Sequence, residues 1–435
     1  MKVLDIEKVI GIEAFFTSFK GVGGKLRICP EDFIVRENSN YPNEKKDGKF
    51  AIAEVTAINW ETNLLVREIS NRLRISRQRI GFAGTKDKRA KTTQLMSFYN
   101  VNLEKLSNIK IEDVDIKNIY SSDKPVKIGN LIGNSFEIIV RDTRDFDKEE
   151  LDKTISLINQ TGGFPNFFGI QRFGAIRPIT HVVGKYIVKD DYEKAVMSYI
   201  ANPIEGEDEG SYELRKKLQE SYGFSEALKT YPNQLNFEKA ILNKLVQDPK
   251  DFISALKELP KNLLTMFVYA YQSYLFNKIL SKRIKQNLPL NKAIVGDIVL
   301  PIRKNIIDEK GIIVKESNIE KINKQILKGK AFVSGVLFGS DSTFSEGEMG
   351  EIERTIIENE KIDPRDFIIP DIPYISSKGT RRSLVAPVRN LDFEIIKDDL
   401  NSKKQALLLK FMLKKGCYAT SLLREIMKAD DIKDY

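Results

Sequence analysis

Residues 81–94, GFAGTKDKRAKTTQ, set a single carboxylate among cations. Across residues 71–94 there are eight basic side chains, Arg72, Arg74, Arg77, Arg79, Lys86, Lys88, Arg89 and Lys91, and one acid, Asp87. Positive surroundings favour the ionised form of a carboxyl group. Asp87 could therefore serve as a nucleophile or base beside a polyanion. Gly81 and Gly84 lie just upstream and suit a loop that comes close to a ligand. From these residues alone two readings stand. One is an RNA-binding edge with a carboxylate at its centre; the other is a solvated basic face with an incidental aspartate.

Other catalytic chemistries lack their residues. The chain has one histidine, His181, and two cysteines, Cys29 and Cys417. No Cys/His metal cluster can be assembled from that set. Acid–base or nucleophilic work must rest mainly on Asp, Glu, Lys, Tyr or Ser. A disulfide framework is not expected, which fits a reducing, cytoplasmic setting. Two phosphate-binding signatures fail on inspection. GVGGKLR at 21–27 has Phe19 where a phosphate loop needs glycine and Leu26 where it needs Ser or Thr. TKDK at 85–88 echoes a guanine-specificity motif but has no phosphate loop to serve.

The elements that must position Asp87 can be traced by periodicity. Strand-like runs are expected at 26–28, 33–36, 50–57, 95–99 and 135–142. Apolar residues at 65, 66, 69 and 73 give residues 61–76 a helical spacing. The acidic stretch 202–213 reads as a loop, and long helices are expected at 237–247 and 261–285. The aromatic run MFVYAYQSYLF at 266–276 reads as helix core. Strands return at 383–397 and 406–412, before a last helix over 419–428. Strand and helix signals without regular alternation point to an α+β (mixed α/β) fold. The length of 435 residues allows two or three domains. The balance of 70 Lys and Arg against 61 Asp and Glu gives a net charge of +9, a modest bias toward a polyanionic partner. No apolar run approaches the roughly 20 residues of a membrane span, so no membrane partner is expected.

Five ordered segments carry a resemblance. They are PEDFIVRE at 30–37, GTKDKRAKTTQ at 84–94, GNLIGNSF at 129–136, PNFFGIQRFG at 165–174 and LKKGCYATSLLRE at 413–425. Together they resemble the TruD family of RNA pseudouridine synthases. YQSYLFN at 271–277 and the large insertion resemble the family's archaeal and eukaryotic branch. The resemblance implies a mixed, largely antiparallel sheet flanked by helices. The catalytic core would take 1–184 plus 380–435, interrupted by an α/β insertion (TRUD) domain at 185–379. It implies isomerisation of a uridine in tRNA, with position 13 the expected target, by an enzyme with no cofactor and no metal.

The same resemblance assigns roles. Asp87 falls on the nucleophile. Arg27 stands where the family usually has a lysine that pairs with it, and Glu37 matches a glutamate that orients this base. Phe33, Phe168 and Phe411 fall on aromatic contacts to the flipped base, and Asn166 on a polar one. Each phenylalanine by itself would read as core packing. Lys86 could touch phosphate or structure. KGTRR at 378–382 is a candidate phosphate contact or a solvated basic loop, and His181 is expected to be packed rather than a ligand. The alternative functions are a non-catalytic RNA-binding or chaperone protein that kept the fold, and a pseudouridine synthase with another target. A methyltransferase would need a cofactor loop that is not present.

Overall fold

The computed structural model describes residues 2–86, 88–303, 306–308 and 310–435. The fold is mixed α+β, with fifteen strands among the described residues. They separate into two compact units. One holds residues 17–164 and 386–435, the other residues 1–16 and 165–385. These limits differ from the expected 184/185 and 379/380 boundaries.

The first unit is built on a sheet. Its strands in chain order are β1 (Gly23–Lys25), β2 (Phe33–Ser39), β3 (Phe50–Ile58), β4 (Ile80–Phe82), β5 (Lys91–Tyr99), β6 (Val114–Ser122), β7 (Leu131–Thr143) and β8 (Gly163–Pro165). The chain then forms β9 (Ile298–Arg303), β10 (Ile306–Ile307), β11 (Ile312–Ile313), β12 (Ala331–Leu337) and β13 (Thr380–Ser383) in the second unit. It returns to the sheet with β14 (Val385–Lys397) and β15 (Gln405–Lys414). The order across the large sheet is β6-β3-β5-β2-β7-β15-β14-β8. Strands β2 and β5 run parallel, while β3–β5, β2–β7, β7–β15 and β14–β15 are antiparallel.

Strict alternation makes one face of β2 apolar at Phe33 and Val35 and continues it to Glu37 and Ser39. In register, Val35 faces Phe136 and Glu37 faces Asn134, and Phe136 faces Phe411. Helices Lys148–Thr161 and Ala419–Met427 cover this face through Leu151, Ile155, Ile158, Leu422, Leu423 and Ile426. Helix Thr62–Leu73 covers the β3–β5 part through Leu65, Val66, Ile69 and Leu73. Glu61 caps that helix by accepting from the Leu64 N–H at 3.0 Å.

The second unit is arranged around helix Lys261–Lys285, whose buried positions run all round its circumference. The expected aromatic core of this helix is present: Phe267, Tyr271 and Phe276 are all buried. Helix Thr180–Val188 crosses it closely. A Cβ at Gly184 would stand 2.0 Å from the Phe267 carbonyl oxygen, so only glycine fits at the crossing. The small antiparallel sheet β10-β9-β12-β13, with β11 paired to β9, packs beside the long helix. Arg283 and Asp297, both fully buried, form a two-point ion pair at 2.6 and 2.9 Å.

Two local expectations are corrected. Residues 26–28 are not a strand; the strand is Gly23–Lys25, and Arg27 sits at φ +57°. The stretch 202–213 is a loop only as far as Asp208, which caps helix Glu209–Ser221 by accepting from the Ser211 N–H at 2.9 Å.

Candidate active site

Asp87 lies outside the described residues. Its neighbour Lys86 is fixed twice. The Lys86 N–H donates to Thr62 Oγ1 at 2.7 Å, which ties the segment to the first turn of helix Thr62–Leu73. Its Nζ donates to Glu37 Oε2 at 2.7 Å. The two side chains are only 5% and 1% exposed. Ser39 Oγ donates to the other Glu37 oxygen at 2.5 Å. Glu37 therefore holds Lys86, and Lys86 is buried rather than turned out as a phosphate contact would be. The parallel pairing of β2 with β5 brings about this meeting of residues 49 apart in sequence.

Arg27 and three aromatic rings share the covered face. The Arg27 guanidinium lies 4.1 Å above the centre of the Phe33 ring. Phe33 meets Phe136 edge-on at 6.2 Å, and Phe136 stacks on Phe411 at 5.0 Å. Phe33 and Phe411 are each 3% exposed. Arg89, from the basic loop, donates to the Arg27 carbonyl at 3.2 Å. The structure thus gathers Arg27, Phe33, Glu37, Lys86 and Phe411 in one unit. It adds Phe136, which the sequence reading did not single out. The signal was present: Phe136 ends the GNLIGNSF segment and leads the alternation along β7.

Two amide side chains on this sheet carry unused acceptors. Among the described residues, Gln94 Oε1 and Asn134 Oδ1 are buried without a hydrogen-bond partner. Leaving a buried acceptor unmet costs about 1–3 kcal/mol. Asn134 is the register partner of Glu37. Such groups suit the edge of a bound base, which offers N–H donors.

Asn166 and Phe168 belong to the second unit. Asn166 Nδ2 donates to the Ser383 carbonyl at 2.9 Å and to Ser383 Oγ at 3.1 Å. Asn166 Oδ1 accepts from Arg382 Nη2 at 2.5 Å. The Phe168 backbone is clamped at both ends by Asn277: its N–H donates to Oδ1 at 2.9 Å, and its carbonyl accepts from Nδ2 at 2.9 Å. Asn277 Nδ2 also donates to the Ile10 carbonyl at 3.0 Å. The ring of Phe168 lies edge-on to Phe276 at 5.8 Å.

The remaining candidates are placed plainly. KGTRR at 378–382 divides. Arg381 is structural, donating to Glu353 at 2.8 Å, Ser345 Oγ at 2.9 Å and the Thr343 carbonyl at 2.8 Å. His181 is packed as expected, stacked on Tyr274 at 5.0 Å and edge-on to Phe173 at 5.2 Å. Burial pushes its imidazole down to about 4. Arg67, Arg72, Arg74 and Arg77 are exposed on and after helix Thr62–Leu73, a cationic surface in the same unit as the loop of Asp87. Among the described residues, no group of three His, Cys, Asp or Glu could hold a metal ion, and no helix is long and apolar enough to cross a membrane.

Three comparisons bear on this arrangement. The model of the family described as tRNA pseudouridine synthase D (TruD) matches residues 9–426. A protein of Methanococcoides burtonii described as a probable tRNA pseudouridine synthase D is 45% identical over 437 residues, covering 99% of each chain. One of Methanosarcina acetivorans with the same description is 42% identical, covering 100% of this chain and 99% of its own. The crystal structure of a Methanosarcina mazei protein assigned as tRNA pseudouridine synthase D (TruD) superposes with a TM-score of 0.94 at 41% identity. It covers 100% of both chains.

Proposed function

Because this chain belongs to the tRNA pseudouridine synthase D (TruD) family, we propose that it isomerises a uridine of tRNA to pseudouridine, with Asp87 as the nucleophile. The bond between ribose and uracil nitrogen breaks, the detached base turns, and a bond from ribose to uracil carbon forms. Substrate and product contain the same atoms and electrons, so the reaction needs no cofactor. The uridine at tRNA position 13 is the expected target.

The observation that carries this reading is the double anchoring of Lys86. A carboxylate must be held accurately to attack a sugar in a flipped nucleotide. The residue before Asp87 is pinned by its backbone to Thr62 and by its side chain to the buried Glu37. Arg27 supplies positive charge on the same sheet face, and Arg can pair with carboxylate through two parallel bonds. Phe33 and Phe411 supply ring surface, and the family pattern assigns Asn166 and Phe168 to the uracil. The exposed Arg67, Arg72, Arg74 and Arg77 supply a surface for RNA phosphates. In this reading the catalytic core takes 1–184 plus 380–435, and 185–379 is the family's insertion. A tRNA-modifying role places the protein in the cytoplasm.

The test is pseudouridine mapping on unmodified tRNA transcripts with wild type and Asp87→Ala side by side. Product from wild type alone, with tRNA still bound by the variant, is the expected result. Product from the variant would remove Asp87 from its role. Binding by wild type without product would favour an RNA-binding protein that kept the fold.

A further inference from the structure

Arg381 and Arg382 are adjacent on β13, and successive strand residues point to opposite faces. Arg381 is consumed by Glu353 and its neighbours. The Arg382 guanidinium carbon lies over the Phe168 ring, 4.1 Å from its centre. From the edge of the same guanidinium, Nη2 donates to Asn166 Oδ1 at 2.5 Å and Nε donates to the Asn166 carbonyl at 3.3 Å.

These contacts decide how Asn166 is turned. A primary amide can be flipped to exchange its oxygen and nitrogen, and only its partners choose between the two. A guanidinium can only donate, so the amide oxygen must face Arg382. The NH2 must then face Ser383, whose carbonyl can only accept. Arg382 also packs its guanidinium against Phe168, whose ring Phe276 meets edge-on from another side. Arg382 and the Ser383 carbonyl therefore select the same amide orientation of Asn166, and the Arg382 guanidinium also lies against the Phe168 ring.

We propose that Arg382 is a positioning residue for uridine isomerisation, acting through Asn166 and Phe168 on the uracil. The inference rests on the assignment of those two residues to the base. Lysine would keep the charge but not the function. Its ammonium is a point charge without a planar fork, so it cannot stack on the ring and also donate along its edge as arginine does.

The experiment uses the full chain and unmodified tRNA transcripts. It reads the single-turnover rate of pseudouridine formation at saturating enzyme, and the tRNA Kd by filter binding. The variants are Arg382→Gln, Arg382→Lys, Asn166→Ala and the double variant Arg382→Gln with Asn166→Ala. We expect Arg382→Gln to slow the saturating rate about tenfold or more while Kd stays within about threefold, the pattern of a lost transition-state arrangement. The double variant should be slower than Asn166→Ala by less than the full Arg382→Gln factor, because part of what Arg382 does passes through Asn166. If Arg382→Gln does not fold, Arg382→Lys carries the same test, with a rate slowed about threefold or more and Kd unchanged. A weaker Kd with an unchanged saturating rate would make Arg382 a phosphate contact and overturn the proposal. Effects that multiply in the double variant would overturn it as well. A full rate in Asn166→Ala would overturn the uracil assignment itself, whereas a slow Asn166→Ala beside a full-rate Arg382→Gln would overturn only the positioning role.

Discussion

Replacing Lys86 by methionine removes one charge from a buried pair and leaves the other behind. Among the described residues, Glu37 would keep only the Ser39 hydroxyl at 2.5 Å, in a site where its side chain is 1% exposed. Removing one partner of a buried ion pair costs about 3–5 kcal/mol, because the remaining charge has lost both water and its counter-charge. The sheet unit, residues 17–164 and 386–435, is about 200 residues long. At that size each kcal/mol moves a thermal midpoint by about 2–4 °C. Lys86→Met should therefore lower the midpoint of this unit by about 6–20 °C. The double variant Glu37→Gln with Lys86→Met replaces both charges and should recover most of the loss, since a buried pair exchanged for neutral groups is often close to neutral in stability. Differential scanning calorimetry on wild type, both single variants and the double gives the full cycle. A Lys86→Met midpoint within about 2 °C of wild type would refute the claim that the pair is dry and unscreened. A double variant no more stable than Lys86→Met would refute it too.

Acid should weaken the second unit through His181. Its neutral imidazole has a folded value of about 4 against an ordinary 6.5, because burial disfavours the charged ring. The unfolded chain thus binds a proton that the native state refuses between those values. Stability from this group is complete above pH 6.5 and lost as pH falls toward 4, by about 3 kcal/mol. His181→Phe should flatten the fall in urea midpoint between pH 7 and 4.5; an unchanged fall would assign it to other groups. Asn277→Ala should cost about 3 kcal/mol in urea unfolding, since it strands three backbone groups of Phe168 and Ile10. A loss below about 1 kcal/mol would show that water replaces the amide. Removing Arg67, Arg74 and Arg77 together by alanine should weaken tRNA binding and lower the slope of log Kd against log salt by about 2–3, leaving the saturating rate intact. An unchanged slope would place the phosphates elsewhere.

Much of this was legible in the residues, and the limits have physical causes. Apolar spacing located helix Thr62–Leu73 to within a few residues, and helix Lys261–Lys285 at both ends. Strand-like runs located β2, β3, β7 and β15, and alternation is cleanest along β2, where every second residue is buried. The run 26–28 misled because Leu26 is buried like a strand residue, while Arg27 at φ +57° turns the chain out of the ladder. The acidic stretch looked like loop throughout because helix Glu209–Ser221 has only Arg215 and Leu218 buried. Long-range partners were the least legible. Nothing local to Glu37 names Lys86 as its partner, and nothing local to Arg382 names Phe168. The two arginines of TRRS look alike in sequence, and only strand alternation separates the one locked by Glu353 from the one stacked on a ring.

The strand order also governs how the molecule comes off the ribosome. Strand β15 pairs with β7 through eight register positions from Leu407↔Val140 to Lys414↔Gly133, so the sheet cannot close until residues 407–414 have been made. At about 5–20 residues per second, β7 waits on the order of ten to fifty seconds for its neighbour. Through that interval its edge offers unpaired amides and carbonyls to any passing strand. The compact unit of 1–16 and 165–385 has all its residues before the sheet that flanks it in sequence, so folding can finish in the middle of the chain first. A nascent chain of this protein is most exposed to misassembly just before residues 386–435 appear, and those residues, which carry Phe411, complete the sheet.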